Sequence, residues 1–125
     1  MSPRNQAHVL LELAQNDYKA AMILGQASDP QLEAAGFHLQ QAVEKGLKAW
    51  LADLDIAFPR THDLSLLLGL LEDANQQIDS YWELLGLNPF AVQFRYELPG
   101  DGFPEFKQTA DKVQSLLDHI AGLIS

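Results

Sequence analysis

Apolar residues recur at intervals of three and four over the first half of the chain, which is the spacing of an amphipathic helix. Over residues 5 to 27 the positions that share one helical face are Ala7, Leu11, Ala14, Tyr18 and Ala21. Over residues 31 to 54 the corresponding stripe is Leu32, Ala35, Leu39, Val43, Leu47, Trp50 and Leu54. Because proline is tolerated in the first turn of a helix but not in its interior, Asp29 and Pro30 end the first helix and open the second.

A third helix is predicted after a linker over residues 55 to 60. Thr61 is its expected N-cap, and Asp63 falls in its first turn, where a negative charge suits the helix dipole. This helix carries leucines at 64, 67, 68 and 71 and is expected to end near Asn75.

The last third of the chain predicts one short and one long helix. A short helix is expected over residues 78 to 87, followed after Asn88 and Pro89 by a further turn or two over residues 90 to 96. Proline and glycine at 98 to 102 indicate a break. From about Pro104 a last helix shows the cleanest apolar stripe, made of Phe106, Ala110, Val113, Leu117, Ile120 and Ile124.

These elements predict an all-α fold class, because no segment shows the alternation of a strand. Short links between long helices favour antiparallel neighbours, so we expect an up-and-down four-helix bundle core with an additional short helix. The chain has 125 residues, of which 47% are hydrophobic and 20% charged, and this is enough to build one core. We therefore expect a single helical domain over residues 1–125.

Composition narrows the function further. The net charge is −9, from 17 acidic and 8 basic residues, which disfavours general nucleic-acid binding by a monomer. A local site for one nucleotide, or a site formed by two chains, is still compatible with this charge. The absence of cysteine excludes disulfides, thiolate zinc sites and cysteine nucleophiles, and fits a reducing cytoplasm. The chain starts without the apolar stretch of a signal peptide, and its longest apolar stretches are shorter than a membrane span. We expect a cytoplasmic protein with no membrane association.

Polar residues follow one side of the second helix at spacings of three, four and three: His38, Gln41, Lys45 and Lys48. Glu44 lies beside them. One interpretation is a solvated face with a Glu44–Lys48 pair, worth a few tenths of a kcal/mol. The other is a ligand-binding surface, which the histidine and two glutamines among the charges favour.

A second polar group stands at the entry to the third helix, in Arg60-Thr61-His62-Asp63. Backbone N–H groups at a helix start, together with Arg60 and His62, could receive a phosphate or a carboxylate. Alternatively, Thr61 and Asp63 only cap the helix. By itself this segment favours the capping interpretation.

A third polar group is the dipeptide Arg95-Tyr96 near a predicted helix end. An arginine beside a tyrosine can bind a carboxylate or stack on a base. It can equally anchor a junction between helices, and the local sequence does not decide between the two.

Metal and cofactor motifs are missing from the sequence. The four histidines form neither an H-x3-H pair nor H-E-x-x-H, and there is no P-loop, G-x-S-x-G or G-x-G-x-x-G. We therefore expect no metal and no cofactor.

Three segments together resemble the HEPN domain family: HLQQAVEKGLKAWL at 38 to 51, PRTHDLSLLL at 59 to 68, and NPFAVQFRYELP at 88 to 99. In that family a helix reading roughly H-x-Q-Q-A-x-E-K-x-L-K-A is followed by T-H-x-L at a helix start and later by an R-Y pair. Asp17 and Ala21 match the A-x-x-D-x-x-x-A pattern of its first helix.

The resemblance implies an all-α domain of about five helices around a four-helix up-and-down core. HEPN domains usually dimerise, with a polar cleft at or near the interface, and are frequently encoded beside a minimal nucleotidyltransferase. Many relatives are metal-independent ribonucleases, and some of these are toxins that a partner silences.

The ribonuclease branch requires an arginine, four to six intervening residues and a histidine. The histidine would act as acid and base while the arginine stabilises the phosphate charge. The chain has three arginines, and none is followed by a histidine at that spacing: residues 9 to 11, 65 to 67 and 100 to 102 contain no histidine. The resemblance is therefore to the branch with T-H-x-L and R-Y motifs, whose role is described as nucleotide or substrate binding, and we expect no catalytic residue.

The leading hypothesis is a non-catalytic HEPN module that binds a nucleotide or substrate and acts as a homodimer or with a nucleotidyltransferase partner. The expected ligand-binding residues are His38, Gln41, Lys45, Lys48, His62, Arg95 and Tyr96. A supporting polar network is expected from Asp17, Glu44, Thr61 and Asp63.

Two alternatives remain open at the level of sequence. One is a divergent, toxin-like HEPN ribonuclease that uses His62 or His38 with Arg95. The other is a purely structural interaction protein, in which the polar strip is a buried network that fixes helix register or dimer geometry.

Overall fold

The computed structural model describes residues 2–91 and 105–124, and every regular element in these ranges is a helix. The α-helices are α1 (Pro3–Gly25), α2 (Leu32–Asp53), α3 (Leu64–Asp73) and α4 (Phe106–Ile124), and a 3₁₀ helix spans Asp79–Ala91. The predicted all-α fold class is confirmed for these residues. Within the described ranges no helix is both long enough and apolar enough to cross a membrane.

Helix α2 lies at the centre of the fold, because it contacts α1, α3, α4 and the 3₁₀ helix. Its most extensive contact is with α1. Trp50 and Leu47 on α2 are buried, and so are Ala14 of α1 and Ile120 of α4. A helix that contacts four neighbours has little circumference left for solvent, so its polar side chains must be buried with partners.

Glycine allows the close approach of α4 to α2. A Cβ atom added at Gly46 would lie 2.8 Å from Cδ2 of Leu117 and 3.4 Å from Cδ1 of Ile120. The missing side chain therefore leaves the space that these two apolar residues occupy.

The N-cap prediction for α3 was wrong by two residues. Asp63, not Thr61, is the N-cap, since its carboxylate accepts hydrogen bonds from the backbone N–H of Ser65 at 3.0 Å and from the Ser65 hydroxyl at 2.7 Å. The Thr61 hydroxyl instead accepts from the backbone N–H of Asp63 at 3.0 Å. Aspartate and threonine are both good caps, and only the backbone path decides which one is used.

Two further boundaries differ from the prediction. Helix α2 begins at Leu32 with Gln31 as its N-cap residue, so Pro30 precedes the helix instead of opening it. The 3₁₀ helix continues through Asn88 and Pro89 to Ala91, where a cap and a separate turn were predicted. The Asn88 side chain caps another element, because its Oδ1 accepts from the backbone N–H of Leu64 at 3.0 Å.

Helices α2 and α3 end in the same way. Asp55 and Asn75 have positive φ angles of 56° and 63°. After α2, the N–H groups of Asp55 and Ile56 donate to the carbonyls of Ala52 and Leu51 at 3.0 and 2.9 Å. This is the Schellman arrangement, in which a left-handed residue satisfies the last carbonyls of a helix.

Candidate functional site

The first polar cluster joins α1 to α2 and is called the Asp17 cluster (Asp17, His38 and Lys45). Asp17 Oδ1 lies 2.8 Å from Nδ1 of His38, and Asp17 Oδ2 accepts from Nζ of Lys45 at 2.6 Å. The Asp17 side chain is 13% exposed, while those of His38 and Lys45 are about twice as accessible. Both oxygens of one carboxylate are therefore occupied by residues seven positions apart on α2.

The second polar cluster joins α2 to the segment before α3 and is called the Glu44 cluster (Gln40, Glu44, Lys48 and His62). Glu44 Oε1 lies 2.8 Å from Nδ1 of His62 and accepts from Nε2 of Gln40 at 3.2 Å. Glu44 Oε2 accepts from Nζ of Lys48 at 3.0 Å. Lys48 also lies over the ring of Phe58, 5.9 Å from its centroid.

The Glu44 carboxylate is a buried anion, with 5% of its side chain exposed. Burial raises its pKa, but the hydrogen bonds from His62, Lys48 and Gln40 and the charge of Lys48 act in the opposite direction. The net result is a pKa below the ordinary value of 4.5. Glu44 is therefore ionised at neutral pH.

His62 is the accessible member of the Glu44 cluster, with 63% of its side chain exposed. Its backbone carbonyl accepts from Nε2 of Gln40 at 3.1 Å, and its Nδ1 is held by Glu44. An ionised carboxylate only accepts hydrogen bonds, so Nδ1 carries the proton. Nε2 then accepts a hydrogen bond in the neutral ring and donates one in the protonated ring.

The residues predicted along one side of α2 are divided between the two clusters. His38 and Lys45 face Asp17 on α1, whereas Lys48 faces Glu44. Gln41 connects with the second group, since its Nε2 donates to Oε1 of Gln40 at 2.7 Å. The two lysines are thus neutralised within the chain.

The start of α3 lacks the free backbone N–H groups that a phosphate site at a helix N-terminus uses. The first backbone N–H groups of the helix, those of Leu64 and Ser65, already donate to side chains of Asn88 and Asp63. Hydrogen bonds from the Ser65 side chain and backbone hold the pKa of Asp63 below its ordinary value, so this helix start carries a negative charge. Arg60 is exposed nearby.

Arg95 and Tyr96, both predicted ligand-binding residues, lie outside the described residues. Their position relative to the Asp17 and Glu44 clusters therefore stays a prediction.

Gln40 is the functional candidate that the sequence reasoning missed. Its side chain is fully buried, donates to both Glu44 and the His62 carbonyl, and accepts from Gln41. The spacing of Gln40, Glu44 and Lys48 at intervals of four was the available signal, since such residues are neighbours on a helix.

Metal-ligand residues do not converge in the part of the chain that the structure describes. No group of three or more histidine, cysteine, aspartate or glutamate side chains is close enough there to hold an ion. Each of the two clusters contains one carboxylate and one histidine, and this is a charge-paired arrangement suited to orienting an imidazole.

Of three comparisons with known proteins, one found a match. No curated protein and no solved structure matches the chain at a significant level. The family model of the HEPN domain, however, matches residues 7–125, which is nearly the whole chain. The match covers all four α-helices except the first turn of α1. The protein therefore belongs to the HEPN domain family.

Proposed function

We propose that this HEPN protein is a non-catalytic binding module for a nucleotide or a similar anionic substrate. It would act in the cytoplasm as a homodimer or beside a minimal nucleotidyltransferase. The observation that carries the proposal is the exposed imidazole of His62, held at Nδ1 by the buried Glu44. A side chain oriented in this way loses little conformational entropy when a ligand binds, so it is suited to recognition.

The ion pairs within the two clusters determine which cations a phosphate can contact. Lys45 and Lys48 are paired with Asp17 and Glu44, so a phosphate must share these cations with the carboxylates. His62 is in a different position, because its Nε2 accepts no hydrogen bond from the described residues. Its protonated form supplies a donor and a positive charge to a phosphate oxygen. Arg95 and Tyr96 remain in the proposal as a phosphate contact and a stacking surface.

Isothermal titration calorimetry with a panel of nucleoside triphosphates and short RNAs tests this proposal. The wild type is expected to bind at least one member, and His62→Ala and a Lys45→Ala/Arg95→Ala double variant are expected to weaken that binding. His8→Ala is the matched control, since His8 is an exposed histidine on α1 whose Nδ1 lies 2.9 Å from the carbonyl of Arg4. Absence of binding by the wild type, or equal binding by all variants, contradicts the proposal.

A purely structural interaction module is the second candidate, and one observation favours it. Both lysines and both histidines of the two clusters contact carboxylates of their own chain. On this hypothesis the clusters fix the register of α2 against its neighbours. Gln40→Ala and Glu44→Gln would lower the melting temperature, and no nucleotide would raise it; a nucleotide-dependent rise would argue for the binding module instead.

A further inference from the structure

Helix α1 carries apolar side chains on the face that is turned away from the core. Val9, Leu13 and Ile23 are 45%, 43% and 73% exposed. With Asn16 and Ala20 they stand at intervals of four, three, four and three, which is a heptad seam of the kind that pairs helices in coiled coils. We call Val9, Leu13, Asn16, Ala20 and Ile23 the α1 seam.

The α1 seam is distinct from the face that packs in the bundle. The buried residues of α1 are Ala7, Leu11, Ala14 and Ala21. At 100° per residue these positions lie on the opposite side of the helix from Val9 and Leu13. The helix is therefore apolar on two sides, whereas a surface helix of a monomer needs only one.

Charged residues flank the seam on one edge. Glu12 and Lys19 are seven residues apart, so they occupy the same heptad position, and both are exposed. Neither side chain forms an ion pair with any residue in the described ranges. A rise of about 10 Å separates them along the helix, which is too far for them to pair within one chain.

We propose that α1 pairs antiparallel with α1 of a second copy of this chain, about a two-fold axis at Asn16. This pairing places Val9 against Ile23 of the second copy, Leu13 against Ala20, and Asn16 against its own equivalent. A polar residue in an apolar seam fixes the register of such a pair. The interface is isologous, so each contact occurs twice.

Charge complementarity selects the antiparallel direction. In an antiparallel pair, flanking residues of the same heptad position face each other, so Glu12 of each copy lies beside Lys19 of the other. A parallel pair would set this edge against the opposite flank, where Asp17 is half-buried and already paired with Lys45. Two intermolecular ion pairs therefore form only in the antiparallel arrangement.

The inference rests on the homodimer of the proposed function and names its interface. Asp17 follows the central Asn16 and lies on the other flank of the seam. In an antiparallel pair, the flank of one copy that carries Asp17 meets the same flank of the other copy. The two Asp17 clusters therefore lie on the same side of the dimer. His38 and Lys45 of both copies then lie on that side of the dimer.

Cysteine cross-linking of the full chain tests the pairing, because the natural sequence contains no cysteine. Asn16→Cys is expected to form a disulfide-linked dimer under mild oxidation. Val9→Cys alone is expected to stay unlinked but to link when mixed with Ile23→Cys. Gln108→Cys, on the exposed side of α4 and away from the α1 seam, is the control and is expected to stay unlinked. Linkage of Val9→Cys to itself, or absence of linkage at Asn16→Cys, overturns the antiparallel pairing.

Charge reversal measured by sedimentation equilibrium gives an independent reading. Glu12→Lys and Lys19→Glu are each expected to weaken dimerisation by about tenfold, because two attractive contacts become repulsive. The Glu12→Lys/Lys19→Glu double variant is expected to recover wild-type affinity. A monomeric wild type, or a double variant as weak as the single ones, overturns the inference. Both readouts are made without a nucleotide, so a failure here is distinguishable from the absence of nucleotide binding in calorimetry.

Discussion

At the scale of the residue, the buried carboxylate of Glu44 explains most of the chemistry around α2. A charge removed from water is costly unless hydrogen bonds and an opposite charge compensate for it. Gln40, Lys48 and His62 provide three donors within 3.2 Å. Lys48 and His62, which were predicted to bind a ligand, are therefore first of all hydrogen-bond partners of a buried anion.

Glu44 makes the stability of the protein depend on acid pH. Its pKa is below 4.5 in the folded state, so ionised Glu44 stabilises the fold above that value, and this contribution is lost as the pH falls through the folded pKa. Glu44→Gln is expected to lower the free energy of unfolding by about 1–3 kcal/mol at pH 7. The difference from wild type should shrink on acidification. Urea denaturation of both proteins, from pH 7 down through the folded-state pKa of Glu44, measures this difference in the free energy of unfolding.

The control for this prediction is Glu83→Gln. Glu83 also contacts a lysine, since its Oε1 lies 3.3 Å from Nζ of Lys112, but its side chain is 66% exposed. Exposed pairs contribute little, so this variant should follow the wild type at every pH. A Glu44→Gln variant whose deficit stays constant down to acid pH would show that the carboxylate charge is not the source of the effect.

At the scale of the element, glycines of α2 and α3 differ in whether their missing side chain makes room for a neighbouring helix. Gly69, in the middle of α3, has no heavy atom within 4 Å of an added Cβ, whereas Gly46 on α2 faces Leu117 at 2.8 Å. The first glycine only weakens its helix. The second allows α2 and α4 to pack closely.

Alanine substitutions separate these two roles. Gly69→Ala is expected to raise the free energy of unfolding by about 0.5–1 kcal/mol, since alanine has the higher helix propensity. Gly46→Ala gains the same propensity but must displace the Leu117 side chain, so its net effect is expected to be near zero or destabilising. Chemical denaturation of both variants measures the difference, and equal stabilisation would mean that α4 adjusts freely.

At the scale of the whole molecule, the net charge of −9 repels polyanions such as long nucleic acids. Nucleic-acid binding depends on a surface of cations that neutralises several phosphates. In the described part of the chain, Lys45, Lys48, Lys107 and Lys112 all contact carboxylates. The proposed ligand is therefore local and small compared with a duplex.

Long duplex DNA provides the test at this scale. No retardation by the wild type is expected in an electrophoretic mobility assay at physiological salt, where non-specific binding already requires a strongly basic face. A strongly basic DNA-binding protein of similar size serves as the positive control for the assay. Retardation of duplex DNA that weakens with added salt would contradict this expectation and would require a basic surface that the dimer creates.

The sequence by itself determined the helical class, the approximate helix bounds and the family, because these depend on periodicity and on motifs that are local in the chain. It placed His38, Lys45 and Lys48 on one side of α2, since helical spacing is fixed by 3.6 residues per turn. It did not show that Asp17 and Glu44 divide these residues into two clusters, or that Asp63 caps α3. The two clusters depend on which distant segments meet, and the cap depends on the path of the backbone into α3. Only tertiary packing decides whether a polar side chain faces water or a buried partner.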